Sequence, residues 1–190
     1  MKDIFEMMIS LLEQGESFVL ATLFSSSGSA PRTAGAYMIM RADGTTHGTI
    51  GGGLLEAKVQ QAAPELFKKK NSAIMQFKLT GKDASVMEMI CGGEVEVLVE
   101  YIDSGDETYL NLFKEFLAAM KSHRKAWQIL SLPETGGEFS GAGRCLVTAK
   151  DPTVHGWAVT AATGKPNEEI PGELVNEVME RPEISQTQYP

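Results

Sequence analysis

The sequence predicts an α+β fold, two similar units of mixed or antiparallel sheet with helices packed against them. Helix-periodic segments and short strand-like runs are interspersed along the 190 residues. An Asp43-Gly44 pair joins two of the strand-like runs as a hairpin signal. The same order of segments then returns later in the chain, which points to an internal duplication.

Residues 3–14 place Ile4, Met8 and Leu11/Leu12 at helical spacing, with Phe5 and Ile9 widening the stripe. Phe18 to Phe24 is an apolar run rich in strand formers and reads as a buried strand. Ser25 to Gly35 reads as a loop, Ala36 to Met40 as a second strand, and His47 to Ile50 as the strand after the Asp43-Gly44 turn. A helix then runs from Leu54 with Leu55, Val59, Ala62 and Leu66 on one face, and Pro64 is expected to kink or divide it. Lys68-Lys69-Lys70 closes that helix, where cations suit the negative end of the macrodipole. Ile74 to Leu79 and Val95 to Tyr101 alternate as strands, the second with Glu94, Glu96 and Glu100 opposite its valines.

At an offset of 108, Gly35, Asp43, Thr45, His47 and Gly48 fall on Gly143, Asp151, Thr153, His155 and Gly156. The same offset carries Ile4, Phe5, Met8 and Ile9 onto Leu112, Phe113, Phe116 and Leu117, and Gly28 onto Gly136. The expected division is therefore residues 1–102, which hold the glycine motifs, and residues 103–190, a degenerate second copy packed on them. The copies differ where chemistry is expected: Val159-Thr160-Ala161 replaces Gly51-Gly52-Gly53, and no Cys-Gly-Gly follows. The last residues, Gln186 to Pro190, resemble the start of a strand cut short.

Apolar residues make up 43% and charged residues 22%, a globular balance with no disorder signature. The net charge of −8 argues against nonspecific nucleic-acid binding. No apolar run approaches membrane-spanning length, and Met1 to Glu6 already reads as an amphipathic helix rather than a signal peptide. Two cysteines, Cys91 and Cys145, cannot make a disulfide framework, so a reduced, cytoplasmic, soluble protein is expected.

Two glycine-bracketed segments are the candidates for chemistry. Gly48-Thr-Ile-Gly51-Gly52-Gly53 leads into a helix, so its free amides and the positive helix end suit an anion. A tight turn needing positive φ explains the same glycines. Glu56 in the first helical turn reads as a capping carboxylate, and it would compete with any anion for that helix end. Cys91, followed by Gly92-Gly93, offers an uncovered thiolate for a soft metal or a persulfide sulfur; the alternative is a small buried apolar residue. Arg32 beside Ser25, Ser26 and Ser27 suits a phosphate or carboxylate, and a solvated turn explains these residues almost as well. His47 and His155 occupy equivalent turn positions, which points to structure rather than ligation. There is no Cys-x-x-Cys, His-Glu-x-x-His or Gly-x-Ser-x-Gly motif.

Three stretches taken in order resemble the XdhC/CoxI family: Val19 to Arg32; Met40 to Gly44 followed by Gly48 to Glu56; and Met89 to Glu96. The resemblance covers residues 17–102. It implies an accessory protein, more a maturation factor than an enzyme, that binds the molybdenum cofactor (molybdopterin) and helps its sulfuration. The client implied is a xanthine dehydrogenase-type apo-enzyme, with a cysteine desulfurase as a candidate further partner and a homodimer as the expected assembly. The family also implies a following Rossmann-like domain, which this chain lacks. On this reading Ser25, Ser26, Ser27, Arg32, Gly51, Gly52, Gly53, Gly92 and Gly93 contact the cofactor, and Cys91 is the catalytic or metal-binding residue. Two other readings compete. One is part of a nucleotide-dependent oxidoreductase whose dinucleotide domain is missing here, and the other is a structural half serving dimerisation.

Overall fold

The structure, a computed structural model, describes residues 2–28, 34–78, 93–124, 126–132, 137–139, 143–151 and 154–163. Among these described residues it is an α+β arrangement of three helices and two antiparallel sheets. The helices are α1 (Lys2–Glu13), α2 (Gly53–Lys69) and α3 (Glu107–Lys121). The strands are β1 (Phe18–Gly28), β2 (Ala36–Met40), β3 (Thr46–Gly48), β4 (Ser72–Lys78), β5 (Gly93–Ile102), β6 (Ala126–Ser131), β7 (Gly137–Phe139), β8 (Gly143–Asp151) and β9 (Val154–Thr163).

Two compact units interleave along the chain. Ser17–Asp103 with Glu134–Ser140 make one, and Met1–Glu16, Ser104–Pro133 and Gly141–Pro190 the other. The first unit holds a six-stranded sheet in the order β3-β2-β1-β5-β4-β7. Its core lies between that sheet and α2. Val19, Ala21 and Leu23 of β1, Met38 and Met40 of β2, and Val95, Val97 and Val99 of β5 meet Leu55, Val59, Ala63 and Leu66 of α2. Every second residue of each strand faces the helix, as the period of two requires. Burying each such Val, Leu or Met side chain contributes about 1.5–3 kcal/mol.

The opposite face of the same strands is buried as well, through Phe18, Leu20, Ile39, Leu98 and Ile102. That face also carries Glu100, fully buried, level with Leu20 of β1 and Ser72 of β4.

The second unit pairs α1 with α3 and contains the three-stranded sheet β6-β8-β9. Phe5 is fully buried, 4.5 Å from the ring of Phe116 and 6.0 Å from that of Phe113. Ile4, Met8, Leu11 and Leu12 of α1 and Leu112 and Leu117 of α3 complete the apolar stripes. Asp106 caps α3, accepting a hydrogen bond from the Thr108 amide at 2.9 Å. Arg144 of β8 is buried at 1% exposure.

Three expectations change. Ser25 to Gly28 are not loop: after an irregularity between Leu23 and Ser25, β1 continues and pairs Ser25, Ser26, Ser27 and Gly28 with Glu96, Val95, Glu94 and Gly93. The long β5 supplies a ladder that overrides the turn preference of the serines. Pro64 does not divide α2, which is continuous from Gly53 to Lys69. Pro64 and Gln60 are both exposed, so the Gln60 carbonyl left without a partner by the missing N–H can meet water. On the buried stripe Ala63 takes the place expected for Ala62.

Among the described residues the two units are not alike in strand number. The 108-residue offset does carry the starts of β1 and β3 onto those of β6 and β9, and the end of α1 onto that of α3. The pairing does not follow. Val19 lies opposite Met40, whereas Trp127, its equivalent, lies opposite Val147 rather than Thr148. The expected terminal strand at Gln186–Pro190 lies outside the described residues.

Candidate functional site

Antiparallel pairing brings several of the predicted segments to one end of the six-stranded sheet. The C-terminal ends of β1, β3 and β4 and the N-terminal ends of β2 and β5 all lie there. The Gly51–Gly53 turn leaves from β3, Ser25–Ser27 end β1, and Gly93 begins β5 directly opposite Gly28. The end is stepped. The last β1–β2 pair is Leu23 with Ala36, and β1 runs on to Gly28. At about 3.3 Å per residue that extension places the Gly28–Gly93 pair on the order of 15 Å further along the strand direction.

The turn itself is built from glycine geometry. Gly48, Gly51, Gly52 and Gly53 have φ of 85, 131, 80 and 58°. Gly52 combines φ 80° with ψ −174°, a region that essentially only glycine occupies. A Cβ there would meet nothing within 4 Å, so the backbone and not crowding selects glycine. Gly52→Ala is expected to destabilise the chain by about 1–2 kcal/mol, read from the shift of its urea midpoint. Ile50 is fully buried in the core with Leu55, Val95 and Val97, which anchors the turn from beneath.

Glu56 closes over this turn from the first part of α2. Its Oε1 accepts hydrogen bonds from Thr49 Oγ1 at 2.5 Å, the Gly52 amide at 2.8 Å and the Ile50 amide at 3.1 Å. Thr49 Oγ1 in turn accepts from the Gly51 amide at 3.2 Å. Partial burial pushes the Glu56 carboxyl up, but the Thr49 hydroxyl and the Gly52, Ile50 and Gly51 amides outweigh it and hold the group below its ordinary value. The carboxylate anticipated as a cap thus takes several donors at once. Thr49, for which the sequence alone suggests no role, links the two halves of the network. Its position two residues before Gly51 is the only signal, because the closing contact comes from Glu56, seven residues on.

On the β1–β5–β4 part of the sheet end lies a cleft of about 190 Å³ lined by Ser25, Gln76, Lys78, Glu94 and Glu96 among others. Gln76 Nε2 donates to Glu96 Oε1 at 2.8 Å and Lys78 Nζ lies 3.5 Å from Glu94 Oε1. Ser25 and Ser26 are half-buried. Cys91, Gly92 and Arg32 lie outside the described residues, as does the side chain of Ser27. Among the described residues no group of three or more His, Cys, Asp or Glu could hold a metal ion, and no helix is long and apolar enough to cross a membrane.

Residues 11–78 match the sequence model of the XdhC and CoxI family. Over that segment, about a third of the chain, it is similar to the XdhC and CoxI family. The segment contains Ser25–Ser27, Arg32, the glycine turn and Glu56, while Cys91–Gly93 lie beyond it. Uncharacterized protein YqeB of Escherichia coli (strain K12) is 33% identical over 97 residues, 51% of this chain and 18% of its own length. A probable xanthine dehydrogenase subunit of Bacillus subtilis (strain 168) is 30% identical over 118 residues, 61% of this chain and 36% of its own. A crystal structure of a xanthine dehydrogenase from Bacillus halodurans matches with a TM-score of 0.57 at 22% identity, over 83% of this chain and 46% of that one. The fold is shared with that structure. In each comparison the match spans less than half of the other protein.

Proposed function

We propose that this chain is a member of the XdhC/CoxI family and the cofactor-facing part of a chaperone that binds the molybdenum cofactor and passes it to a xanthine dehydrogenase-type apo-enzyme. The family match supports the client class, as does the likeness to a probable xanthine dehydrogenase component from Bacillus subtilis. The observation that carries the reading is the gathering of the glycine turn, the β1 serines and Gly93 at one sheet end. A binding protein needs such a surface and needs no acid–base pair for turnover.

The residues present suit an elongated polar ligand. Gly51–Gly53 carry no side chains of their own, and open space lies where a Gly52 Cβ would be. Ser25 and Ser26 offer hydroxyls on the adjoining strand, and Ser27, Arg32, Gly92 and Gly93 complete the proposed contacts. Cys91, two residues before β5, would contribute a thiolate as metal ligand or as sulfur carrier. The bound group would supply a molybdenum centre with an exchangeable sulfur. The chain's own part is to hold the cofactor, keep water from it and present it to the client. A cysteine desulfurase as sulfur source, a homodimer and a cytoplasmic setting belong to the same proposal.

Cys91→Ala tests it. The variant is expected to fold as the parent does and to lose most of the transfer of sulfurated cofactor to an apo-hydroxylase, measured as recovered hydroxylase activity. Transfer equal to the parent's would remove Cys91 from the mechanism.

A further inference from the structure

We infer that the cleft across β1, β5 and β4 takes a nitrogen heterocycle through adjacent N–H donors, the edge of an aminopyrimidinone ring. The inference rests on the cofactor reading above and assigns the ring end of that ligand to this cleft. Val95 and Val97 meet α2, so Glu94 and Glu96 stand on the other face of β5. The antiparallel register sets Ser25 of β1 and Gln76 of β4 on either side of Glu96, and Lys78 beside Glu94. A hydroxyl, a carboxylate and an amide therefore form one row across three strands, about 10 Å long at the usual strand spacing. The cleft they line holds about 190 Å³. Pockets for drug-sized ligands run to about 300–1,000 Å³, so this one fits a single ring system of a larger molecule.

The lining decides which ring. Lys78 Nζ lies 3.5 Å from Glu94 Oε1, so these two charges offset each other at the exposed rim. Glu96 is half-buried and its neighbour Gln76 is neutral, with Nε2 donating to Glu96 Oε1 at 2.8 Å. The net negative charge of the lining thus falls at the middle of the row. A carboxylate accepts about four hydrogen bonds, so the Gln76 contact leaves capacity for further donors. Two adjacent N–H groups on a flat ring match its two oxygens as a guanidinium does. A phosphate would meet two carboxylates here, so the phosphate end of the ligand lies outside the cleft. Ser25 then serves the ring and not the phosphate.

The test is an amide NMR titration of the full chain with 2-aminopyrimidin-4-one, and with uracil, in which an oxygen replaces the amino group. The Ser25, Gln76 and Glu96 amide resonances are expected to move saturably with the first ring and to stay in place with the second. Glu96→Gln should weaken that binding about tenfold or more, because a charged acceptor is lost. Glu94→Gln, at the exposed rim, should leave it within about twofold. Equal response to the two rings, no response to the first, or a Glu96→Gln variant that binds as the parent does would each overturn the inference. The parent titrations decide the matter even where a variant fails to fold. Neither ring carries phosphate or metal, so the two readings fail separately. Ring binding by a chain that retains no whole cofactor would sink the chaperone reading alone. Retention of whole cofactor without any ring response would sink this inference alone.

Discussion

Replacing Glu56 with alanine is expected to lower stability by about 2–3 kcal/mol at neutral pH. Three donors lose a charged acceptor, and hydrogen bonds to charged groups are worth about 1.5–3 kcal/mol each when fully buried. Glu56 is only half-buried, so water repairs part of the loss and the total stays near the value for a single such bond. The conservative variant Glu56→Gln keeps an acceptor but not the charge and should lose about half as much. The effect depends on pH in a definite direction. The folded carboxyl titrates below the unfolded value of 4.5, so its contribution is fully present above about pH 4.5 and disappears as pH falls through the folded value. Urea unfolding of parent and Glu56→Ala at pH 7 and at successive steps below pH 4.5 should show the gap closing. A gap under about 0.5 kcal/mol at pH 7, or one that widens with acid, would contradict this account of the turn.

Phe5→Ala is the substitution with the largest expected cost, about 3–5 kcal/mol, the range for deleting a buried aromatic ring. Phe5 has no exposed surface and touches the rings of both Phe113 and Phe116 from a single position on α1. Its removal opens a cavity between two helices whose partners are themselves large and cannot collapse into the space. The exposed ion pairs between the two helices, Lys114 with Glu13 at 2.7 Å and Lys121 with Glu6 at 2.9 Å, contribute little beside it. Calorimetry of the variant checks the value. A loss below about 1.5 kcal/mol would mean that α1 does not depend on α3 for its hold.

Where the sequence was legible, local physics was enough. The stripe of α1, the Asp43-Gly44 hairpin and the closing lysines of α2 follow from spacing and turn chemistry, and the structure has them. The glycine turn was legible for the same reason, since successive glycines before a helix mark backbone that other residues cannot adopt. What was not legible depends on partners distant in sequence. Ser25 to Ser27 are strand because β5 lies beside them, and nothing in three serines says so. Glu100 alternates with Glu96 and Glu94 on one face of β5, yet it is fully buried while Glu94 is exposed. Alternation reports which face a residue is on, not what covers that face. Thr49 is a hydroxyl of no special type until Glu56 closes over it.

The claim at the centre of this account is that the sheet end holds the molybdenum cofactor. The most direct measurement is molybdenum and released pterin per mole of the full chain, after mixing with cofactor and removing the excess by gel filtration. The account predicts retention of both near one equivalent. A protein fraction that elutes with neither would contradict it.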